Sequence, residues 1–353
     1  MSDRLKGTAK PLLGITLGDP AGIGPEIVLK ALAHPKVFET CRPLVIGDVR
    51  MLRRAAPWVG QEPSYENVAT PVEGRYVPGT VTVLDLANGD PADCPVGVES
   101  AEGGRAAVEA VLRGADLALA GEIDAVVTAP LNKAAMHLAG FHYPGHTELL
   151  AERTGAGKIT MLLTGPNLRV VHVSMHVGLQ EAIARVTAER VADTIQLAAD
   201  ACRALGIAAP RIAVAGLNPH ASEGGLFGDQ EAREILPGIA AARARGHQVS
   251  DPQPPDTVFL RATQGEFDIV VAMYHDQGHI PMKLLAFDSG VNVSIGLPII
   301  RTSVDHGTAF DIAGRGIARE ESMLAAIAVA VQMAGVRGEE IRGKREEDDV
   351  GTT

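Results

Sequence analysis

The stretch Leu12–Leu32 reads LLGITLGDPAGIGPEIVLKAL and joins an apolar segment to a helix-like segment through a turn rich in glycine. It predicts a strand over Leu12–Leu17 and a helix over Pro25–Ala33, because proline suits the first turn of a helix. The turn is not a dinucleotide-binding fingerprint, since the third glycine is missing and proline follows Gly24 directly. The stretch therefore predicts the strand–loop–helix unit of an α/β fold.

The same alternation recurs along the chain and predicts an α/β protein with a largely parallel sheet. Further strands are expected at Pro43–Ile46, Val81–Leu86, Ala125–Thr128, Ile159–Leu163, Arg169–Val173, Arg211–Ala215 and Asp268–Ala272. Further helices are expected at Ser100–Ala118, Glu148–Arg153, Ala188–Leu205, Asp229–Ala244 and Glu321–Met333. The segment TGPNL between the fifth and sixth strands is typical of a hairpin turn, so part of the sheet should be antiparallel.

Charge and composition exclude several classes of protein. The formal net charge is -11, whereas a nucleic-acid binder needs a basic face. The cysteines Cys41, Cys94 and Cys202 lie far apart and form no CxxC pair, which predicts neither a disulfide framework nor a thiolate zinc site. No uncharged segment is long enough to span a membrane, and no signal peptide is recognisable. We expect a soluble cytoplasmic protein that binds neither nucleic acid nor membranes.

Three of the eleven histidines directly follow strand-like segments. His176 ends RVVHVSMH, His220 ends RIAVAGLNPH and His275 ends FDIVVAMYH. The carboxyl ends of parallel strands face the ligand crevice of an α/β sheet, where three imidazoles could hold a divalent cation. Taken singly, each histidine is explained as an ordinary loop or core residue. Asp276, beside His275, could orient that imidazole or transfer a proton, or it could cap the next turn.

Cationic and polar residues gather in the segment that follows these histidines. Lys283 and Arg301 lie among apolar residues, and Asn292 lies between them. A buried cation needs a partner, which could be a substrate phosphate or carboxylate or an intramolecular ion pair. His146 and Thr147 precede an expected helix, where free N–H groups favour anions, although Thr147 as a simple cap explains the same sequence.

Seven motifs, in this order, resemble the 4-hydroxythreonine-4-phosphate dehydrogenase family. They are GDPAGIGPEI, TAPLNK, YPGHTELLAERTG, GLNPHASEGGLFG, PPDTVF, YHDQGHIPMK and GVNVSIGLPIIRTSVDHGTAFDIAG. The match runs from about Gly14 to Met333 and is weakest between Ala31 and Pro91. GDPAGIGPEI and HGTAFDIAG are also similar to two loops of isocitrate and isopropylmalate dehydrogenases, whose fold this family shares.

The resemblance implies two αβα domains with mixed sheets and an interdomain cleft, in a homodimer whose subunits jointly build each site. We expect one domain over residues 1–140 plus 302–337 and the other over 141–301, with a disordered polar tail over 338–353. The resemblance further implies one divalent metal (Zn, Mg, Mn or Co) on His176, His220 and His275. It implies substrate contacts from His146, Thr147, Lys283, Asn292 and Arg301. The loop with His306, Gly307, Thr308, Ala309 and Asp311 would hold the adenosine half of NAD, or of NADP.

Several motifs favour one branch of the family. HVSMHVGL, SEGGLFGDQE and GHIPMKLLAF are more similar to members that oxidise D-threonate or D-erythronate 4-phosphate. This branch implies NAD-dependent oxidation at C3 and decarboxylation to dihydroxyacetone phosphate, with Asp276 or a metal-bound water as the base. The alternatives are a 4-hydroxy-L-threonine 4-phosphate dehydrogenase of pyridoxal phosphate biosynthesis, a cis-dihydrodiol dicarboxylate dehydrogenase, a phosphate acyltransferase, and a non-catalytic sensor of sugar acid phosphates.

Overall fold

The computed structural model describes residues 10–350, and side chains over residues 10–339. Contacts along the chain divide it into two compact units. The first unit comprises the residues up to Ala156 and those from Leu297 onward, and the second comprises Gly157–Gly296. The boundary therefore lies at residue 156 and not at 140 as the sequence suggested, because Leu149 and Leu150 pack into the hydrophobic core of the first unit.

The elements of secondary structure alternate between strands and helices along most of the chain. The strands are β1 (Leu12–Thr16), β2 (Arg42–Gly47), β3 (Ser64–Asn67), β4 (Thr80–Asp85), β5 (Ala125–Thr128), β6 (Thr160–Thr164), β7 (Arg169–His172), β8 (Ile212–Ala215), β9 (Val249–Gln253), β10 (Ile269–Ala272), β11 (Val291–Ile295) and β12 (Arg301–Val304). The α-helices are α1 (Gly24–Leu32), α2 (Pro35–Thr40), α3 (Val49–Ala55), α4 (Ala101–Leu119), α5 (Lys133–Leu138), α6 (His146–Thr154), α7 (Leu179–Ala184), α8 (Ala188–Ala204), α9 (Leu236–Ala244), α10 (Val258–Thr263), α11 (His275–Ala286) and α12 (Glu321–Val350).

The first unit contains a parallel sheet in the order β3-β4-β2-β1-β5-β12. Every residue of β1 and of β5 is buried, as expected for parallel strands whose two faces are both covered. The second unit contains the order β11-β6-β7-β10-β8-β9. Here β6 pairs antiparallel with both β7 and β11, which confirms the predicted hairpin and the mixed sheet, whereas β7, β10, β8 and β9 are parallel.

Every strand expected from the sequence is present, and its ends differ from the prediction by at most one residue. The additional strands β3, β9, β11 and β12 escaped prediction because β3 and β9 are polar and partly exposed, and because β11 and β12 carry polar residues at the expected site. The predicted helix over Asp229–Ala244 is split: a wide π-type turn over Glu231–Ile235 precedes α9, which has a proline in its first turn.

The expected disordered tail is wrong over the residues that the structure describes. Helix α12 continues to Val350, and residues 351–353 lie outside the described residues. Residues 338–350 are polar, but seven of these thirteen residues are glutamate, lysine or arginine, which are good helix formers, and the stretch contains no proline. Within residues 10–350, no helix combines the length and the apolar composition that crossing a membrane requires.

Gly104 allows α4 to lie against the next helix, α5. An added Cβ at Gly104 would lie 2.0 Å from the Ala135 carbonyl oxygen, which is backbone and cannot rotate away. We expect Gly104→Ala to destabilise the protein by about 1–3 kcal/mol, the usual cost of overpacking. The urea midpoint measures this effect. Gly335→Ala, on α12 with open space around it, is the matched control and should stabilise by up to about 1 kcal/mol. An equal effect of the two substitutions would contradict the close approach.

Candidate active site

Four imidazole rings form a histidine cluster in the second unit: His172, His176, His275 and His279. The ring centroids of His275 and His279 are 3.6 Å apart with the planes 13° from parallel. His176 lies 5.5 Å from His275, and His172 lies 4.8 Å from His279. Two of the three predicted metal ligands, His176 and His275, therefore lie side by side.

Strand pairing explains this proximity. β7 and β10 are adjacent and parallel, so the residues that follow their carboxyl ends lie at the same edge of the sheet. α11 begins at His275 directly after β10, and the spacing of four residues places His279 over His275. Gly278 permits the helix to approach β7, since a Cβ there would lie 2.3 Å from His172 Nε2. Sequence analysis missed His279 because the glycine and proline of HDQGHIP concealed this helix.

His172 is the buried member of the histidine cluster. Its exposed fraction is 2%, and among the described residues neither ring nitrogen has a hydrogen-bond partner. Burial, reinforced by the neighbouring histidines, lowers its pKa well below the ordinary value, so the ring is neutral at neutral pH. A neutral imidazole with unused nitrogens makes this a polar, unsatisfied corner of the second unit.

His220 lies on a strained loop. All five residues of His220–Gly224 have φ between 45° and 71°, a region that costs L-residues about 1–2 kcal/mol each. Its Nδ1 is 3.2 Å from Glu223 Oε2, and its ring lies 6.0 Å from that of Phe227. Buried Glu231 fixes the start of the loop by accepting hydrogen bonds from the N–H groups of Leu217 and Asn218, both at 2.8 Å.

The structure does not gather the three predicted metal ligands within one chain. Among the described residues, no three histidine, cysteine, aspartate or glutamate side chains are arranged to hold a metal ion. Both His176 and His220 nevertheless have a positive φ, which is 40° at His176 and 53° at His220. Backbone strain of this kind clusters at functional sites, where the surrounding structure holds it in place.

Asp276 and Gln277 have different roles at the start of α11. Asp276 Oδ1 is 2.6 Å from His275 Nδ1 and its side chain is 70% exposed, so it orients the imidazole from the solvent side. Gln277 Oε1 accepts from the Met273 N–H at 2.7 Å, and its Nε2 donates to the Gly216 carbonyl at 2.8 Å. Gln277, to which sequence analysis gave no role, therefore ties α11 to the ends of β8 and β10.

A buried cationic site lies in the first unit. Arg301 is 2% exposed and donates from Nε and Nη2 to Thr128 Oγ1, at 3.2 and 2.6 Å. Burial lowers the pKa of Arg301 to about 9, and the Glu148 carboxylate opposes that shift. His146 Nε2 is buried without a hydrogen-bond partner among residues 10–339, and burial and Arg301 together lower the His146 pKa well below the ordinary value. With buried Thr147, these residues offer an anion several donors at the start of α6.

The other two predicted substrate residues, Lys283 and Asn292, belong to the second unit. Lys283 Nζ lies 5.7 Å from the centre of the Phe287 ring. Asn292 Nδ2 is 2.6 Å from Met161 Sδ, and within the described part of the chain its Oδ1 is buried without a hydrogen-bond partner. The unused oxygen of this amide resembles the unused nitrogens of His172 in being a buried polar atom whose missing partner needs an explanation.

The residues predicted to hold a cofactor, 306–311, lie in an irregular segment over residues 305–320, named the cofactor loop below. It forms neither helix nor strand, and Ala309 has a φ of 43°. Thr308 is buried, and its carbonyl accepts from the Ile23 N–H at 3.0 Å. A Cβ at Gly22 would lie 2.7 Å from that same carbonyl oxygen. The glycine turn before α1 thus lies against this loop. His306, Gly307 and Asp311 are exposed on it.

A pocket of about 760 Å³ in the second unit has a mainly apolar lining. Its wall includes His220, Asp276, Ile280, Leu284 and Leu285, and none of the described residues that line it is lysine or arginine. Leu284 is 81% exposed and Leu285 is 59% exposed. This surface is suited to apolar contact and not to an anionic substrate.

Comparison with known proteins confirms the resemblance found in the sequence. Residues 39–330 match the family described as pyridoxal phosphate biosynthetic protein PdxA. The chain is 50% identical to D-threonate 4-phosphate dehydrogenase of Cupriavidus necator over 335 residues, which is 95% of this chain and 99% of that protein. It is 51% identical to 4-hydroxythreonine-4-phosphate dehydrogenase of Desulfosudis oleivorans over 333 residues, 93% of this chain and 98% of that protein.

A crystal structure of 4-hydroxythreonine-4-phosphate dehydrogenase from Klebsiella pneumoniae superposes with a TM-score of 0.85 at 45% identity, covering 92% of this chain and all (100%) of that one. The predicted α/β fold class is thereby confirmed. The named relatives are dehydrogenases, which sets aside the phosphate acyltransferase and sensor alternatives. The chain belongs to the PdxA family and is a dehydrogenase that acts on a CH–OH group.

Proposed function

We propose that this enzyme oxidises and decarboxylates a 4-phosphorylated four-carbon 3-hydroxy acid, D-threonate or D-erythronate 4-phosphate, to dihydroxyacetone phosphate with NAD. The observation that carries this proposal is the buried Arg301 beside His146, whose Nε2 is buried and lacks a hydrogen-bond partner among the described residues. A guanidinium with aligned donors suits a phosphate or carboxylate oxygen. The Cupriavidus necator relative, named for D-threonate 4-phosphate, supports this substrate.

The second candidate substrate is 4-hydroxy-L-threonine 4-phosphate, supported by the name of the Desulfosudis oleivorans relative. The two kinds of substrate differ at C2, where a hydroxyl replaces an ammonium group. Both carry the phosphate and carboxylate for which Arg301, His146 and Thr147, and separately Lys283, offer donors. Asn292, whose Oδ1 is an acceptor, would suit a substrate hydroxyl. Holding both anionic ends would align C3 for reaction and convert binding energy into rate.

We propose that His176, His220 and His275 hold one divalent cation, of zinc, magnesium, manganese or cobalt. Neutral imidazole nitrogens suit such ions, and His176 and His275 are adjacent. A bound cation would supply a Lewis acid that favours ionisation of the substrate hydroxyl. Asp276, through its 2.6 Å contact with His275, would orient that ring and is a candidate for the group that accepts the hydroxyl proton.

We propose that the ligand set is completed across a homodimer, with His220 and His275 contributed by different subunits. His220 and Asp276 line one pocket whose other residues include exposed leucines, so a second subunit covering this apolar surface would lie next to both. This arrangement explains why one chain does not gather the three imidazoles.

NAD would be the hydride acceptor, held at its adenosine half by His306, Gly307, Thr308, Ala309 and Asp311. The exposed Asp311 carboxylate suits a ribose hydroxyl and would repel the extra phosphate of NADP, which favours NAD. Removal of hydride from C3 and of the hydroxyl proton yields a 3-keto acid. Such an acid loses its carboxyl group as carbon dioxide, and a proton then adds at C2.

Substrate choice is tested by initial rates with D-threonate 4-phosphate, D-erythronate 4-phosphate and 4-hydroxy-L-threonine 4-phosphate, measured side by side with NAD. We expect one of the two sugar acid phosphates to give the highest kcat/KM, with dihydroxyacetone phosphate and carbon dioxide formed in equal amounts. A preference for 4-hydroxy-L-threonine 4-phosphate would instead establish the second candidate.

Arg301→Lys keeps the positive charge but loses the planar set of donors. We expect the KM for the phosphorylated acid to rise roughly 10- to 100-fold, the range for losing hydrogen bonds to a charged group, with the Kd of NADH unchanged. Arg185→Lys, at an exposed ion pair with Glu181, is the matched control and should change neither value. An unchanged KM in Arg301→Lys would remove the anion-binding role.

His220→Ala should lower the affinity for Mn²⁺ or Zn²⁺ by at least roughly 100-fold. Replacing a residue that only supports a metal ligand already lowers metal affinity by up to that factor. Isothermal titration of the metal-free protein measures the loss, and His142→Ala at an exposed position is the control. Activity of His220→Ala near the wild-type level in metal-stripped buffer would refute the metal proposal.

Mixed dimers test the shared site. When His220→Ala and His275→Ala subunits are combined in equal amounts, random pairing restores one intact site in half of the dimers. We expect about a quarter of the wild-type activity from this mixture, although each variant alone is inactive. A mixture as inactive as its components would show that each site draws both histidines from one subunit.

A further inference from the structure

One face of α1 carries three polar side chains at intervals of four residues: Glu26, Lys30 and, just beyond the end of the helix, His34. Four residues are about one helical turn, so these side chains form a line. Glu26 is completely buried (0% exposed), in a helix whose other buried residues are apolar or glycine. A carboxylate is costly to bury, so this position requires an explanation other than packing.

The line of side chains contacts the second half of the cofactor loop. Glu26 Oε1 accepts from the Gly314 N–H at 2.6 Å. Lys30 Nζ donates to the carbonyl of Gly316 at 2.8 Å and to that of Ala318. His34 Nε2 then lies 3.1 Å from Glu320 Oε1. Glu26 and Lys30 therefore bind successive parts of the loop through its backbone, and His34 contacts a side chain at its end.

The cofactor loop needs such contacts because it has no regular structure of its own. A loop of this length without helix or strand keeps one shape only when neighbouring elements hold it. Its backbone is left-handed at Ala309, Gly314 and Gly316, with φ of 43°, 81° and 67°. Ile23 anchors the loop at Thr308, and Glu26 anchors it at Gly314. Of the residues assigned to the cofactor, Thr308, Ala309 and Asp311 thus lie within a segment, 308–314, that is bound at both ends.

We propose that Glu26 and Lys30 are positioning residues that set the affinity of the cofactor loop for the adenosine half of NAD. This inference rests on the proposed role of that loop. A backbone N–H held by a charged acceptor, and two carbonyls held by an ammonium group, are hydrogen bonds of the stronger kind. Releasing the segment at 314–318 would let the loop sample other shapes, so the cofactor would bind at the cost of ordering it again.

The single tryptophan of the chain provides a local probe. A Cβ at Gly316 would lie 1.9 Å from the Trp58 carbonyl oxygen, so Trp58 is next to the loop. Energy transfer from Trp58 to bound NADH can be titrated in wild-type protein and in Glu26→Gln, Lys30→Met and Lys30→Arg. ADP-ribose, which carries only the adenosine half and its phosphates, serves as the displacing ligand.

We expect Lys30→Met, which loses two hydrogen bonds to loop carbonyls, to raise the Kd of NADH and of ADP-ribose by roughly 10-fold. Glu26→Gln keeps an acceptor oxygen but loses its charge, so it should raise both Kd values by a smaller factor. Lys30→Arg should stay near the wild-type value because it keeps the charge and the donors. In steady state the KM for NAD should rise while kcat at saturating NAD and the metal affinity of the second unit stay unchanged. Lys36→Met, an exposed lysine on α2, is the matched control.

Two results would overturn the inference. Glu26→Gln and Lys30→Met could bind NADH as tightly as wild type, or they could lose cofactor and metal affinity together with a lowered Tm, which indicates general unfolding. If wild-type protein itself shows neither energy transfer nor displacement by ADP-ribose, the proposed cofactor role fails and the inference falls with it. This last outcome is visible without any variant, so the two failures are distinguishable.

Discussion

Parallel pairing of β7 with β10 is the constraint on which the candidate active site depends. It brings the residues after two distant strands to one edge of a sheet, so His172 and His176 meet His275 and His279. Helix α11 lies so close to β7 that Gly278 has no space for a side chain. A buried imidazole with unused nitrogens, His172, lies in the same cluster as the two histidines that we propose as metal ligands. Packing and chemistry are therefore set by the same few contacts.

The cationic site of the first unit depends instead on the burial of a charged side chain. Arg301 emerges from a fully buried strand and is held by Thr128 of the neighbouring strand β5. Its burial costs free energy because water is excluded, and an anionic ligand would recover part of that cost. Burial also keeps His146 neutral, so it can donate or accept one hydrogen bond without adding charge. These features support our proposal that the site binds an oxyanion.

The glycine turn that opens the fold takes no part in a nucleotide fingerprint and instead supports another loop. Gly22 and Ile23 contact Thr308, and Glu26 and Lys30 bind the backbone from Gly314 to Ala318. A strand–loop–helix unit therefore acts as the base on which an irregular segment is ordered. The shape of this loop depends on contacts to its backbone, which leave little trace in residue type.

The sequence by itself determined the α/β class, the buried parallel strands, the hairpin of β6 and β7 and the family, because these depend on local periodicity and on ordered motifs. It also predicted that His176 and His275 follow strands that end at one ligand-facing edge, because hydrophobic runs locate strand ends. Only the tertiary structure decided that α6 joins the first unit, that His279 stacks on His275, and that Gln277 and Glu26 fix neighbouring loops. The stacking of His279 on His275 needs a helix that the glycine and proline of HDQGHIP concealed. Most of the other contacts join residues far apart in the chain, and their energies depend on burial and distance, which no local pattern encodes.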